Sequence, residues 1–267
     1  MNLSRVSAVV MRQFFLYRGS VARAVPLFAW VTIDMVLWGF MTKFLSGIAA
    51  GSYRFVPALL GAVLFWDFMT RVMQGVTTAF FEDVWTRNFL NVFASPITVA
   101  EYMTGLLLSS MATSMLGLLF MVAIATAGFG LHFAAYGVML VPFLVVLFLF
   151  GLALGIAATA IVLRLGPAAE WFVWPIPALM APFAAVYYPL ATLPVWMRAI
   201  SRLLPASYVF EGMRAVVQGQ HFDPALLALA AALALLYILA AYWLFARVFR
   251  SAVKTGLLAR YSAESVS

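Results

Sequence analysis

Long apolar runs separated by short polar islands dominate this chain. Six runs, about 24–45, 55–78, 101–128, 135–163, 168–188 and 225–248, reach the roughly 20 residues needed to cross a bilayer as a helix. The runs lack the alternation of barrel strands, and a backbone in lipid has to satisfy its own hydrogen bonds, so they predict helices. Ahead of them, Val6, Val9, Val10, Phe14 and Tyr17 recur at helical spacing and give residues 2–19 one apolar stripe, flanked by Arg5, Arg12 and Arg18. A helix of this kind lies in the membrane interface with its arginines reaching toward lipid phosphates, and it also leads into the first span.

Composition agrees with this pattern. Of 267 residues, 66% are hydrophobic and only 9% charged, against about 25% charged in soluble domains. Such a chain cannot cover an aqueous surface, and lipid is its expected solvent. The fold class expected is an all-α polytopic membrane protein, one transmembrane domain over 1–267. Its parts are an interfacial helix in 1–23, six spans in 24–248 and a cytoplasmic tail in 249–267. The first apolar run follows four arginines without a small-residue cleavage site and reads as a retained span rather than a signal peptide. Cysteine is absent, which excludes disulfides and thiolate metal sites.

The net charge of +7 points to basic cytoplasmic loops rather than to nucleic acid. With the N-terminus inside, eleven Arg/Lys residues fall on cytoplasmic segments (Arg5, Arg12, Arg18, Arg23, Arg71, Arg87, Arg164, Arg247, Arg250, Lys254 and Arg260). Five fall outside (Lys43, Arg54, Arg198, Arg202 and Arg214). The bias places both termini in the cytoplasm, with the chain in a cell membrane of the bacterial inner-membrane type.

Some residues inside the runs break the apolar pattern. Pro175, Pro177 and Pro182 each remove a helix hydrogen bond, which predicts a kinked fifth span buried against neighbours. Gly151 and Gly155 form a small-xxx-small pair that lets another helix approach. Asp67 and Arg71 are four apart and share one side of the second span; Asp34 lies near the middle of the first. These charges either line a polar path or pair internally to fix helix packing.

No catalytic constellation emerges. His132 and His221 sit in loops without ligand spacing, and no GxSxG elbow occurs. A P-loop needs a glycine-rich turn ending in Lys-Ser/Thr, and Lys254-Thr255 follows Arg250-Ser251-Ala252-Val253 instead. No cofactor is expected on this chain, and ATP with Mg has to be bound by another polypeptide.

Two polar islands carry the most information. The first holds Glu82, Asp83, Trp85, Arg87, Phe89 and Leu90 and ends at Ser95-Pro96, before Thr98 and Glu101 in capping-box spacing. It predicts a short amphipathic helix between spans two and three. The second runs from Tyr188-Pro189 through Leu193-Pro194-Val195-Trp196 to Leu204-Pro205, Tyr208, Glu211 and Arg214. It predicts two short helices broken at Pro205, with Glu211 and Arg214 three apart and able to pair.

Together, in this order, the islands resemble the two signature segments of ABC-2 type permeases, the membrane subunits of a class of ATP-driven exporters. Arg87-Asn88 departs from the Gly-Thr often found there. The resemblance implies that 82–95 is a coupling helix docking into an ATP-binding cassette subunit, and that the second island is an outer re-entrant gate. It also implies a second permease copy, as homodimer or paralogous heterodimer, so that one chain forms half a pathway. Family members export drugs, lipids or lipid-linked glycans; the lack of a large polar outer surface favours small hydrophobic compounds or lipids. The alternative is an ion-coupled secondary transporter using Asp34 and Asp67, although 24–78 and 135–188 show no internal repeat.

Overall fold

The computed structural model describes residues 1–48, 56–85, 92, 94–166 and 169–255. Among these, ordered structure is helical. A first helix α1 (Leu3–Arg18) is capped by the Asn2 side chain, which accepts from the Ser4 N–H. It leads through Gly19 into α2 (Val21–Ile48). A π-helical turn, Val56–Leu60, opens α3 (Gly61–Trp85). The expected capping box is present: Thr98 accepts from the Glu101 N–H and Glu101 from the Thr98 N–H, starting α4 (Val99–Phe129). Gly130, at φ 68°, ends α4 in the left-handed conformation that favours glycine. A 3-10 turn (Phe133–Met139) precedes α5 (Leu140–Leu165). Then come α6 (Glu170–Val173), α7 (Ile176–Ala184), α8 (Val195–Ser201), α9 (Pro205–Val217) and α10 (Pro224–Lys254).

Five stretches among the described residues are long and apolar enough to cross a membrane: Val21–Ile48, Val56–Asp83, Val99–Phe129, Phe133–Leu165 and Pro224–Lys254. The remaining expected span, 168–188, the fifth in chain order, is not a single unbroken helix. Its apolar stretch, Trp171–Ala184, holds most of α6 and the nine-residue α7 with a turn at Trp174–Pro175, about 21 Å in all and short of the hydrocarbon thickness. Pro175, Pro177 and Pro182 interrupt the ladder here, and Ala185 turns the chain at φ 51°.

The pairing of elements fixes their directions. Tyr102 meets Asp83 and Ser110 meets Val72, so α3 and α4 are antiparallel. Gly151 faces Met69 and Gly155 faces Met73, so α3 and α5 are parallel. Phe143 packs on Phe222 and Phe150 on Tyr237, so α5 and α10 are parallel too. The segment between α5 and α10 therefore carries the chain back through the bundle in pieces, and Leu3 and Lys254 belong to the same end. That end, with the tip of α3 and the start of α4, is termed the inner end.

The central contact is α3 against α5. A Cβ on Gly151 would lie 2.6 Å from the Met69 carbonyl oxygen, and one on Gly155 2.9 Å from that of Met73. Only glycine permits this approach, so the small-xxx-small pair marks a real helix contact. Around it Phe65, Phe68, Val72, Phe143, Val146 and Phe150 form the core.

Candidate functional site

At the inner end three carboxylates meet three N-terminal arginines. Asp83, fully buried, accepts from Arg12 at Oδ1 and from the Tyr102 hydroxyl at Oδ2, 2.6 Å away. Glu82, one residue earlier, pairs with Arg23 at the start of α2. Glu101 accepts from the backbone N–H of Asn2 at 2.7 Å and lies 3.5 Å from Arg5. An arginine that meets a carboxylate is a charge-assisted donor. For Arg12, burial alone would lower the pKa, but the hydrogen bond and charge of Asp83 outweigh it and leave the guanidinium above its ordinary value. Tyr17 is raised by burial and by the charge of Glu82.

This arrangement changes the expected partners of the α1 arginines and the face that α1 buries. Arg5 and Arg12 reach protein carboxylates instead of lipid phosphates; Arg18 remains exposed. The buried stripe is Val6, Val9 and Gln13, while Phe14 is 56% exposed. The reason is local: Gly105 on α4 leaves room for Val9, so α1 seats on protein.

Beside this clamp lies a cavity of about 680 Å³ between α2, α3 and α4, floored by Gln13 and Tyr17 of α1. Asp34, Asp67 and Arg71 all line it, with Trp30 and Trp174. Arg71 is in electrostatic contact with both aspartates, and its stem crosses Gly117, whose Cβ would lie 3.3 Å from Arg71 Cδ. The buried Asp67 Oδ2, Thr70 Oγ1 and Ser114 Oγ have no hydrogen-bond partner among the described residues. The three charges thus converge on one polar space within an apolar bundle, running from mid-bundle to the inner end.

At the opposite end the second island folds as two short helices. Pro194 is the N-cap of α8, and Pro205 is the first residue of α9, where its missing N–H costs nothing. Trp196 is exposed and packs edge-on against Phe183. The Tyr208 hydroxyl donates to the Arg202 carbonyl, 2.9 Å away. Arg214, 6% exposed, donates to Glu211 at 2.8 Å and to the Val186 carbonyl at 3.1 Å. Glu211 also accepts from the Leu190 N–H at 2.7 Å. Helix α9 is thereby tied to the loop that follows α7.

A sequence model of the ABC-2 type transporter family matches residues 5–217, from the first turn of α1 to the end of α9. This chain belongs to that family. No curated protein matches it as a relative. ABC-2 permeases are membrane transport subunits that normally work with an ATP-binding subunit, and this one is accordingly a multi-pass permease.

Within the permease, Glu82 and Asp83 occupy the last turn of α3, and Trp85 is its last residue. Arg87, Phe89 and Leu90 lie outside the described residues. Pro96 follows a turn in which Ser95 donates to the Val92 carbonyl. Sequence reasoning missed the role of Arg5, Arg12 and Arg23 as partners of Glu101, Asp83 and Glu82. The available signal was that three of the nine acids fall at the end to which the topology assigns those arginines.

Proposed function

We propose that this permease is the membrane half-pathway of an ATP-driven exporter, working with a second permease copy and with ATP-binding cassette subunits at its inner end. The observation that carries this reading is the clamp. The island that resembles a coupling helix, 82–95, opens with Glu82 and Asp83, and those residues are held by α2 and α1. A push on 82–95 would therefore act through Glu82 and Asp83 on α1, α2 and α3, which line the polar cavity. ATP shifts a two-state equilibrium only through contacts that differ between states, and the clamp supplies contacts suited to that role.

The cytoplasm is then on the inner side, in agreement with its arginine content. Cargo is a hydrophobic or amphipathic compound such as a drug, lipid or lipid-linked glycan, entering the cavity past Trp30 and Trp174. Helices α8 and α9 close the outer side, with Glu211 and Arg214 as their lock. The ion-coupled reading built on Asp34 and Asp67 is not favoured by the family.

Transport into inside-out vesicles tests this. ATP-dependent uptake of amphipathic dyes or fluorescent lipids is expected to survive dissipation of the proton gradient and to fall at least tenfold in Glu82→Ala and Phe89→Ala. Uptake that collapses with the gradient while ATP is present, or that is untouched by both changes, contradicts it.

A further inference from the structure

Arg164 and Arg247 stand apart from the other arginines at the inner end. Arg5, Arg12 and Arg23 each meet a carboxylate. Arg164, in the last turn of α5, and Arg247, on α10, are exposed and make no ion pair or hydrogen bond with a described residue. They converge on one cavity of about 520 Å³, shared with Trp243, Ser251 and Thr255 and lined by no acidic residue among those described. The Arg247 guanidinium lies over the Trp243 ring, 5.3 Å from its centroid. Arg250, one turn on, is used differently, donating to the Ala246 carbonyl at 3.2 Å.

Two exposed guanidiniums in a cavity with no acidic residue among its described lining call for an anion. The depth of the cavity says which kind. Arg164 lies 24 residues from the start of α5 and Arg247 23 from the start of α10, or about 35 Å along each helix. That is just beyond a hydrocarbon core of about 30 Å, in the layer of lipid phosphates, with Trp243 at the level where interfacial tryptophans sit. Below the cavity, Leu239 and Leu236 continue the Trp243 face of α10, and these three are 67%, 60% and 57% exposed in that order. This apolar track leads into the membrane from the cationic cavity. A free phosphate has no use for it; an acyl chain does.

We propose that the groove between the inner ends of α5 and α10 binds an anionic phospholipid. Its phosphodiester sits between Arg164 and Arg247, and one chain lies along Trp243, Leu239 and Leu236. The carbonyl-rich C-terminal ends of two helices repel an anion, so binding depends on the arginines. The site shares no lining residue with the Asp34–Asp67–Arg71 cavity, and it stands whether or not the export reading holds.

The test uses the full-length chain in neutral detergent, titrated with phosphatidylglycerol, with phosphatidylcholine of the same chains, and with inorganic phosphate. Retained lipids are counted by native mass spectrometry, and the unfolding midpoint is followed in parallel. Phosphatidylglycerol is expected to bind and raise the midpoint, the other two not. In Arg164→Gln/Arg247→Gln its apparent affinity is expected to fall at least tenfold, while Arg164→Lys/Arg247→Lys keeps part of it and guards against a folding defect. Equal binding of phosphatidylcholine, a full effect from phosphate alone, or unchanged affinity in the glutamine variant overturns the proposal. So does a glutamine variant that holds the lipid normally but loses an ATP-binding subunit, since the arginines would then belong to a protein interface.

Discussion

Both ends of this permease are fastened by arginine and carboxylate, but the inner and outer fastenings differ in kind. The inner clamp joins separate elements: Arg12 and Asp83 are 71 residues apart, Arg23 and Glu82 59. The outer one is a staple within α9, Glu211 to Arg214, that also grips the backbone at Leu190 and Val186. The inner links pull three helices together, so breaking one frees a helix to move. The outer staple shapes a local turn, so breaking it loosens the hairpin and leaves the bundle standing. The same chemistry serves a joint at one end and a latch at the other.

The largest expected effect comes from Asp83→Ala. It strips the partner from Arg12 and from the Tyr102 hydroxyl in a fully buried place. The cost is about 3 kcal/mol, read as a lower unfolding midpoint in detergent. A double-mutant cycle with Arg12→Ala is expected to recover much of that loss, because it removes the stranded charge. Arg214→Ala comes next, at about 2 kcal/mol. Its loss is expected to appear as faster proteolysis between residues 186 and 217, with the α3–α5 contact intact. If Arg214→Ala unfolds the whole bundle instead, the distinction between joint and latch fails.

Thr98→Ala removes half of the capping box and is expected to cost about 1 kcal/mol, visible as faster amide exchange in the first turn of α4. Arg23→Gln is the smallest in stability, about 0.5 kcal/mol, since the Arg23 side chain is 39% exposed. It sharpens the comparison most: a near-native midpoint together with reduced ATP-dependent transport would separate a coupling contact from a merely structural one.

Local features of this fold were legible in the residues. The Thr98–Glu101 capping box, the Gly151/Gly155 approach and the Glu211–Arg214 pair all depend on spacings of three or four residues. Spacings of that order are what helical periodicity encodes. The clamp was not legible, because its partners lie far apart in sequence and only the antiparallel and parallel pairing of helices brings them together. The broken segment at 170–184 escaped for another reason. Its apolar composition passes for a span, and around the three prolines expected to bend it the helical stretch reaches only from Trp171 to Ala184. The convergence of Asp34, Asp67 and Arg71 was half legible: the shared side of α3 follows from spacing, whereas the approach of α2 does not.

The account's central claim is that the inner island couples the clamped helices to an ATP-binding subunit. The most direct measurement is affinity purification of the tagged chain in gentle detergent, with quantitative mass spectrometry of accompanying proteins, for the native chain and for Phe89→Ala/Leu90→Ala. The account predicts a stoichiometric ATP-binding subunit with the native chain and its loss from the variant, with the unfolding midpoint unchanged. A stable native chain recovered without any ATP-binding partner would contradict it.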